Sequence, residues 1–131
     1  IGELLNYVGV MALELFQCGD ELLINEMASR VHNTGHWTID GAITSQFENH
    51  LRAGLGMPLG DTEIKYPTAM LNLIGVVPSL GDLQQTVPGL FIHLYGKEPR
   101  PNRKIGHLNI IGNSSEELKQ KLKILEPLVG L

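Results

Sequence analysis

The sequence predicts a mixed α/β (α+β) fold in two pieces, residues 1–57 and 58–131, and three observations carry that prediction. The chain opens with two apolar runs joined by turn chemistry, the pattern of an antiparallel hairpin. Two Ser-x-x-Glu sequences, Ser45–Glu48 and Ser114–Glu117, each precede an apolar stripe at helical spacing. Between these helices Met57 to Lys65 gathers Pro58, Gly60 and Asp61, the composition of a linker. The first piece is then an antiparallel sheet plus a helix. The second is a small β-rich unit with a terminal helix.

Each element has its own local reason. Tyr7 to Phe16 is apolar on both faces apart from Glu14, which predicts a strand buried in a sheet. Cys18-Gly19-Asp20-Glu21 supplies a turn, and Leu22 to Met27 returns as a second strand. A polar loop follows. Ser45 then caps a helix whose Phe47, Leu51 and Leu55 share one face, and Gly54 and Gly56 end it. Ala69 to Ile74 and Leu90 to Tyr95 read as strands, with a short helix from about Ser79 between them. His107 to Ile111 is a third strand, after a basic loop from Lys97 to Lys104. Ser114 caps the last helix, Leu118, Leu122 and Leu125 are its buried stripe, and Pro127 closes it.

Bulk composition excludes several function classes. At 43% hydrophobic and 18% charged, the 131 residues suit a packed soluble protein rather than a disordered one. No apolar run is long enough to cross a bilayer and no signal peptide opens the chain, so no membrane role is expected. A formal charge of −4 argues against binding nucleic-acid polymers. The single cysteine, Cys18, excludes an internal disulfide and favours a reducing, cytoplasmic setting. Ile1 stands directly before an apolar strand without a methionine, which reads as the start of a fragment.

Residues 25–38 concentrate chemistry. Glu26 ends a strand, and Arg30, His32, Asn33, His36 and Trp37 follow within a short loop. Loops held by a rigid scaffold are where binding and catalytic residues gather. A three-residue hairpin loop sets Glu14 opposite Glu26, whereas a four-residue loop sets Asn25 there instead. In the first register two carboxylates share a buried face, which is costly unless a cation joins them. Mg²⁺ suits such a pair, since it takes one or two carboxylates plus phosphate oxygens. The alternative is a protonated or Arg-paired acid at a sheet edge. His32 and His36 have the spacing of a helical zinc pair, but Asn33, Thr34 and Gly35 between them favour a loop. Lys97, Arg100, Arg103 and Lys104 place four cations in eight residues, stiffened by Pro99 and Pro101. Such a cluster suits a phosphate, or is a solvated hairpin loop.

In order along the chain, Tyr7-Val8-Gly9-Val10, Glu14-Leu15-Phe16, Ile24-Asn25-Glu26 and His32-Asn33-Thr34-Gly35-His36-Trp37-Thr38 resemble one known family. Ser45-Gln46-Phe47-Glu48-Asn49-His50-Leu51-Arg52-Ala53, Tyr95-Gly96-Lys97-Glu98 and Arg103-Lys104-Ile105-Gly106-His107 continue the resemblance. The family is that of the 5-(carboxyamino)imidazole ribonucleotide synthases, ATP-grasp ligases of purine biosynthesis. Members join ATP, bicarbonate and 5-aminoimidazole ribonucleotide, and a carboxyphosphate intermediate is the usual proposal. The resemblance implies that residues 1–57 end an ATP-grasp domain and that 58–131 form a small C-terminal domain.

For the site, the resemblance implies Glu14 and Glu26 as Mg²⁺ ligands, with Asn25 and Glu26 bordering the ATP phosphates. It implies Arg30, His32 and Asn33 around bicarbonate and carboxyphosphate. Lys97, Arg103 and Lys104 would clamp the nucleotide's 5′-phosphate. It further implies a homodimer and partnership with an N-terminal part that precedes Ile1 in the family, so the chain alone is expected to be inactive. Ser29 stands where the family usually has Pro, Leu94 where an aromatic residue is common, and Asn102 where Gly is common. A sister enzyme, formate-dependent glycinamide ribonucleotide transformylase, shares the Glu-Leu-Phe strand and an Arg-x-His loop. It lacks Gly35 to Thr38 and the Tyr95 to His107 pattern. A reading from another class makes the isolated chain a non-catalytic folding or self-association module.

Overall fold

The structure, a computed structural model, describes residues 1–75 and 80–129. Its elements are β1 (Ala12–Cys18), β2 (Glu21–Ala28), α1 (Thr38–Gly41), α2 (Gln46–Gly54), β3 (Thr68–Ile74), α3 (Leu80–Thr86), β4 (Leu90–Leu94), β5 (Lys104–Ile111) and α4 (Ser115–Val129). This is an α+β chain with two antiparallel sheets. It divides into two compact units, residues 1–39 with 43–63 and residues 40–42 with 64–131.

In the first unit β1 and β2 form the expected hairpin, but the strand starts later than Tyr7. Tyr7 instead folds back, its hydroxyl donating to the Val10 carbonyl at 2.9 Å, and Val10 N–H donates to His50 Nδ1 at 3.0 Å. The turn is tighter than either loop length considered from the sequence. Cys18 pairs with Glu21 across Gly19-Asp20 alone. Gly19 has φ +64°, which a type II′ turn requires at its first central position.

The hairpin is not buried within this chain, contrary to the expectation from its apolar faces. Leu13, Leu15, Phe16, Leu22, Leu23, Ile24 and Met27 are all exposed, Ile24 to 73%. A run apolar on both faces predicts two covered faces, and the described residues do not supply the cover.

Helix α2 starts where its cap predicts. Ser45 Oγ accepts from Glu48 N–H at 3.1 Å, a contact worth about 1 kcal/mol. The reciprocal half of the box is absent, because Glu48 pairs with Arg52 one turn on at 2.7 Å. At the C-terminus Gly56 N–H donates to Ala53 and Met57 N–H to Arg52, the Schellman pattern. The expected stripe fails: Leu51 and Leu55 are exposed and Asn49 is the buried residue. Asn49 holds Gly60 at both ends, accepting from its N–H at 2.8 Å and donating to its carbonyl at 3.2 Å. A paired amide settled which face of this helix turns inward.

In the second unit the sheet order is β3-β5-β4, so the last strand is central. β5 begins at Lys104, earlier than the His107 start expected, and pairs with both neighbours. Its residues Ile105 to Ile110 are all buried. Leu73, Leu83, Val87, Leu90, Ile105, Leu108, Ile110 and Leu125 make the core, with Leu118 and Leu122 packed against it. The stripe predicted for α4 is therefore the face that docks on the sheet. The helix expected from about Ser79 is α3, although Ser79 itself lies outside the described residues. Ser114 caps α4 by accepting from Glu117 N–H at 3.2 Å, while the Glu117 carboxylate accepts from Asn113 N–H at 2.9 Å. Pro127 does not end α4, which runs through it to Val129. Proline in the last turn forfeits one hydrogen bond without breaking the stripe before it.

Candidate active site

Across the first hairpin Glu14 stands opposite Glu26, and a bulge makes it so. From Cys18–Glu21 to Leu15–Ile24 the pairing follows the tight turn, which alone would bring Asn25 opposite Glu14. The register then shifts by one residue and Glu14 meets Glu26. The two registers left open by the sequence both occur, joined at Asn25. A bulge places two residues against one on the partner strand. Asn25 Nδ2 uses the placement to donate to Glu14 Oε1 at 2.6 Å.

His32 completes the cluster. Its Nε2 lies 3.1 Å from Glu26 Oε1 and 3.6 Å from Glu14 Oε2. Its Nδ1 faces Thr34, accepting from the backbone N–H at 3.4 Å and lying 2.8 Å from Oγ1. With Nδ1 the acceptor, the proton sits on Nε2 and is donated to Glu26. His32 is buried, whereas Glu14 is half-buried and Glu26 exposed. One ligand atom from each of the three lies within 4.8 Å of the others. The donor set fits a hard divalent cation: two carboxylates brought together, one of them oriented by an imidazole N–H. An imidazole whose Nε2–H is donated to Glu26 is not itself a ligand, so the pair Glu14 and Glu26 is the candidate metal site.

The remaining loop residues separate. Arg30 is exposed and its guanidinium donates to the Val31 carbonyl at 2.9 Å. Asn33 opens a single 3₁₀ turn, Asn33–Gly35, and its Oδ1 is buried with no hydrogen-bond partner among the described residues. Such an acceptor costs free energy unless a ligand supplies a donor. His32 and His36 do not share a ligand position, since His36 Nδ1 accepts from Gln46 Nε2 at 2.9 Å. The zinc-pair spacing carries no site.

In the second unit the basic loop joins β4 to β5. Pro101 and Asn102, with Arg103 N–H donating to the Arg100 carbonyl at 3.0 Å and φ +60° at Asn102, form a type II turn. Asn tolerates that left-handed position, which explains a residue there other than Gly. Lys97 and Lys104 converge, their Nζ atoms 5.4 and 6.0 Å from the centre of the Tyr95 ring. Burial, and then the charge of Lys97, push the Lys104 ammonium below the ordinary lysine range. Two cations held beside one aromatic ring are a ready anion site. Arg100 is paired with Glu98 at 3.1 Å, both exposed. Arg103 is half-buried in the same turn.

Beneath this loop lies a polar network that sequence reasoning missed. Tyr95 Oη and His107 Nδ1 are 2.7 Å apart, and His107 stacks on His93 with centroids 4.6 Å apart. His93 Nε2 lies 2.8 Å from Asp40 Oδ2, which also accepts from Asn109 at 2.6 Å. Burial pushes the Tyr95 phenol up. Alternation of His93, Tyr95 and of His107, Asn109 along two strands was the available signal. An open cleft elsewhere in this unit, beside Gly89 and Asn113, holds an already satisfied pair, Lys121 with Glu117 at 2.7 Å.

A model described as the ATP-grasp domain matches residues 1–47, and one described as the phosphoribosylaminoimidazole carboxylase C-terminal domain matches residues 68–121. The class is therefore that of ATP-grasp proteins. The chain is 52% identical over 122 residues to N5-carboxyaminoimidazole ribonucleotide synthase of Vibrio vulnificus, covering 93% of this chain and 32% of the relative. The crystal structure of the synthetase from Thermus thermophilus superposes with a TM-score of 0.93 at 54% identity, covering 99% of this chain and 36% of that one. The synthase from Aspergillus clavatus, in complex with ADP and 5-aminoimidazole ribonucleotide, gives a TM-score of 0.83 at 36% identity, over 94% and 35%. The chain belongs to the N5-carboxyaminoimidazole ribonucleotide synthase family, and it spans about one third of the length of these relatives.

Proposed function

We propose that this chain supplies part of the active site of a ligase that uses ATP to join bicarbonate to the amine of 5-aminoimidazole ribonucleotide. The observation that carries this reading is the Glu14, Glu26 and His32 cluster, whose ligand atoms a bulge and a 3₁₀ turn bring within 4.8 Å of one another. In this reading residues 1–57 end the ATP-grasp domain and 58–131 form the C-terminal domain.

Glu14 and Glu26 hold Mg²⁺, and Asn25 and Glu26 border the ATP phosphates. The ion supplies charge neutralisation on the transferring phosphate when bound. His32 orients the Glu26 carboxylate through Nε2–H, and with Arg30 and Asn33 surrounds bicarbonate and the carboxyphosphate made from it. The unpaired Asn33 carbonyl suits a donor such as the bicarbonate O–H or the substrate amine. Arg30 leaves the Val31 carbonyl to reach an oxyanion. Lys97, Lys104 and Arg103 bind the 5′-phosphate of the ribonucleotide, the first two from beside the Tyr95 ring. The exposed apolar hairpin is covered by the preceding part of the same enzyme, and the full-length protein is a homodimer.

The test is isotopic. The full-length enzyme given ¹⁸O-bicarbonate, ATP and aminoimidazole ribonucleotide should transfer label to inorganic phosphate, as a carboxyphosphate requires. Unlabelled phosphate alongside normal product would remove that intermediate, and turnover without the ribonucleotide's phosphate group would remove the clamp. Sedimentation of the same preparation tests the dimer.

A further inference from the structure

Gln46 is the first residue of α2. Its Oε1 accepts from the His32 backbone N–H at 3.0 Å, and Nε2 donates to the His32 carbonyl at 2.7 Å. The second Nε2 hydrogen goes to His36 Nδ1 at 2.9 Å. The amide therefore pairs with both main-chain groups of His32, as a neighbouring strand would, and has no hydrogen-bonding capacity left on nitrogen. Its own backbone N–H donates to Thr38 Oγ1 at 3.0 Å, and Thr38 Oγ1 donates to the Gly35 carbonyl. A Cβ at Gly35 would fall 2.5 Å from Gln46 Oε1, so glycine is required for this approach.

We infer that Gln46 is a positioning residue that sets His32 against Glu26 and Glu14, an inference that rests on the proposed role of His32. The imidazole has two rotatable bonds between its ring and the backbone. Fixing the backbone on both sides, with Thr34 holding Nδ1, leaves Nε2 one direction, toward the carboxylates. The same amide fixes His36: an Nδ1 that accepts from Nε2–H of Gln46 keeps the His36 proton on its own Nε2. Gln46 touches no reacting atom, so its effect on chemistry passes through His32.

The experiment uses the full-length enzyme. Gln46→Met keeps the volume and removes both polar ends. It should lower kcat by about tenfold to a hundredfold, the cost of a misplaced reacting group, with KM for ATP and for the ribonucleotide within about twofold. In a His32→Gln background the same change should alter kcat by less than about twofold, because two residues acting through one group are non-additive. Long-range ¹⁵N–¹H NMR should show the His36 proton on Nε2 in the parent and a tautomer mixture in Gln46→Met. Gln46→Glu is the second variant should Gln46→Met not fold. It retains the acceptor for His32 N–H, sets an oxygen against the His32 carbonyl and His36 Nδ1, and should lose kcat equally. Parent kcat in Gln46→Met beside an impaired His32→Gln enzyme overturns the inference. Equal losses in both backgrounds, or a His36 proton on Nδ1 in the parent, do the same. Parent kcat in His32→Gln alone overturns the reading of His32 beneath it, and is distinguishable from the other outcomes.

Discussion

Glu14 faces Glu26 although the two-residue turn at Gly19-Asp20 would pair it with Asn25; one extra residue in β2 makes the difference. A one-residue slip in a regular strand sends every later side chain to the other face. Here the bulge confines the slip to Asn25, which then donates to Glu14 at 2.6 Å. Two carboxylates and a donor thus share one spot on a largely apolar hairpin.

From that geometry, Glu26→Gln in the full-length enzyme should abolish ligase turnover while the fold is retained. Neutralising a group that holds the phosphate-bound cation should cost several kcal/mol of transition-state stabilisation, about a hundredfold or more in kcat. Glutamine still accepts from His32, so His32 keeps its place. Steady-state kinetics, with circular dichroism as the folding control, read the result. A folded variant with near-parent turnover takes Glu26 out of the mechanism.

Much of the fold was legible because local chemistry decided it. Ser45 and Ser114 both cap the helices they predict, and Leu118, Leu122 and Leu125 turn inward as their spacing requires. What local pattern could not show were contacts made over distance. Asn49 is buried through Gly60, eleven residues on, and outweighs the apolar Leu51 and Leu55. Asp40 meets His93 and Asn109 at separations of 53 and 69 residues. Apolarity on both faces of β1 reports that the strand is covered, but not whether the cover belongs to this stretch of chain. At the site, Glu14, Glu26 and His32 were legible as residue types. Their convergence depends on a bulge, which has no reliable sequence signature, and the role of Gln46 depends on main-chain atoms that no sequence pattern displays.

Adjacent residues on α4 separate burial from hydrophobicity. Leu125 is fully buried in the core, whereas Ile124 is 48% exposed. Leu125→Ala should destabilise the second unit by about 2–5 kcal/mol, the transfer loss plus the cavity it leaves. Ile124→Ala should cost about 1 kcal/mol or less. Denaturant unfolding of the two full-length variants gives both values. Equal losses would mean that α4 does not dock through this face.

The basic loop yields a sharper contrast, because its four cations are not equivalent. Lys97→Met or Arg103→Gln should raise KM for the ribonucleotide far more than KM for ATP. Each lost charge-assisted hydrogen bond to a phosphate costs about 1.5–3 kcal/mol, roughly tenfold to a hundredfold in binding. Some loss of kcat should follow, since remote binding energy also orients the reacting end. Arg100→Gln removes only an exposed pair with Glu98, worth about 0–1 kcal/mol, and should leave both constants near the parent values. Varying each substrate in turn distinguishes these outcomes. Unchanged constants in the Lys97 and Arg103 variants would make the loop mere surface.

Lys104 carries a pH signature of the same site. Its ammonium is held below the ordinary lysine range, first by burial and then by Lys97. Between the lowered folded value and the ordinary unfolded one, the unfolded chain binds more protons, so stability should rise with pH across that window. The penalty of keeping Lys104 charged is present below the window and relieved above it. A bound phosphate works in the opposite direction, stabilising the ammonium and raising its titration point. In ¹³C NMR of the full-length enzyme, Lys104 Cε should therefore titrate earlier than an ordinary exposed lysine. Lys97→Met should move it up, and saturating inorganic phosphate should move it up further in the parent than in Lys97→Met. Tyr95→Leu removes the ring beside both cations and should weaken that phosphate response, whereas Tyr95→Phe keeps the ring and should retain most of it. A Lys104 that titrates with the exposed lysines and ignores both Lys97→Met and phosphate would show that the two cations do not form one anion site.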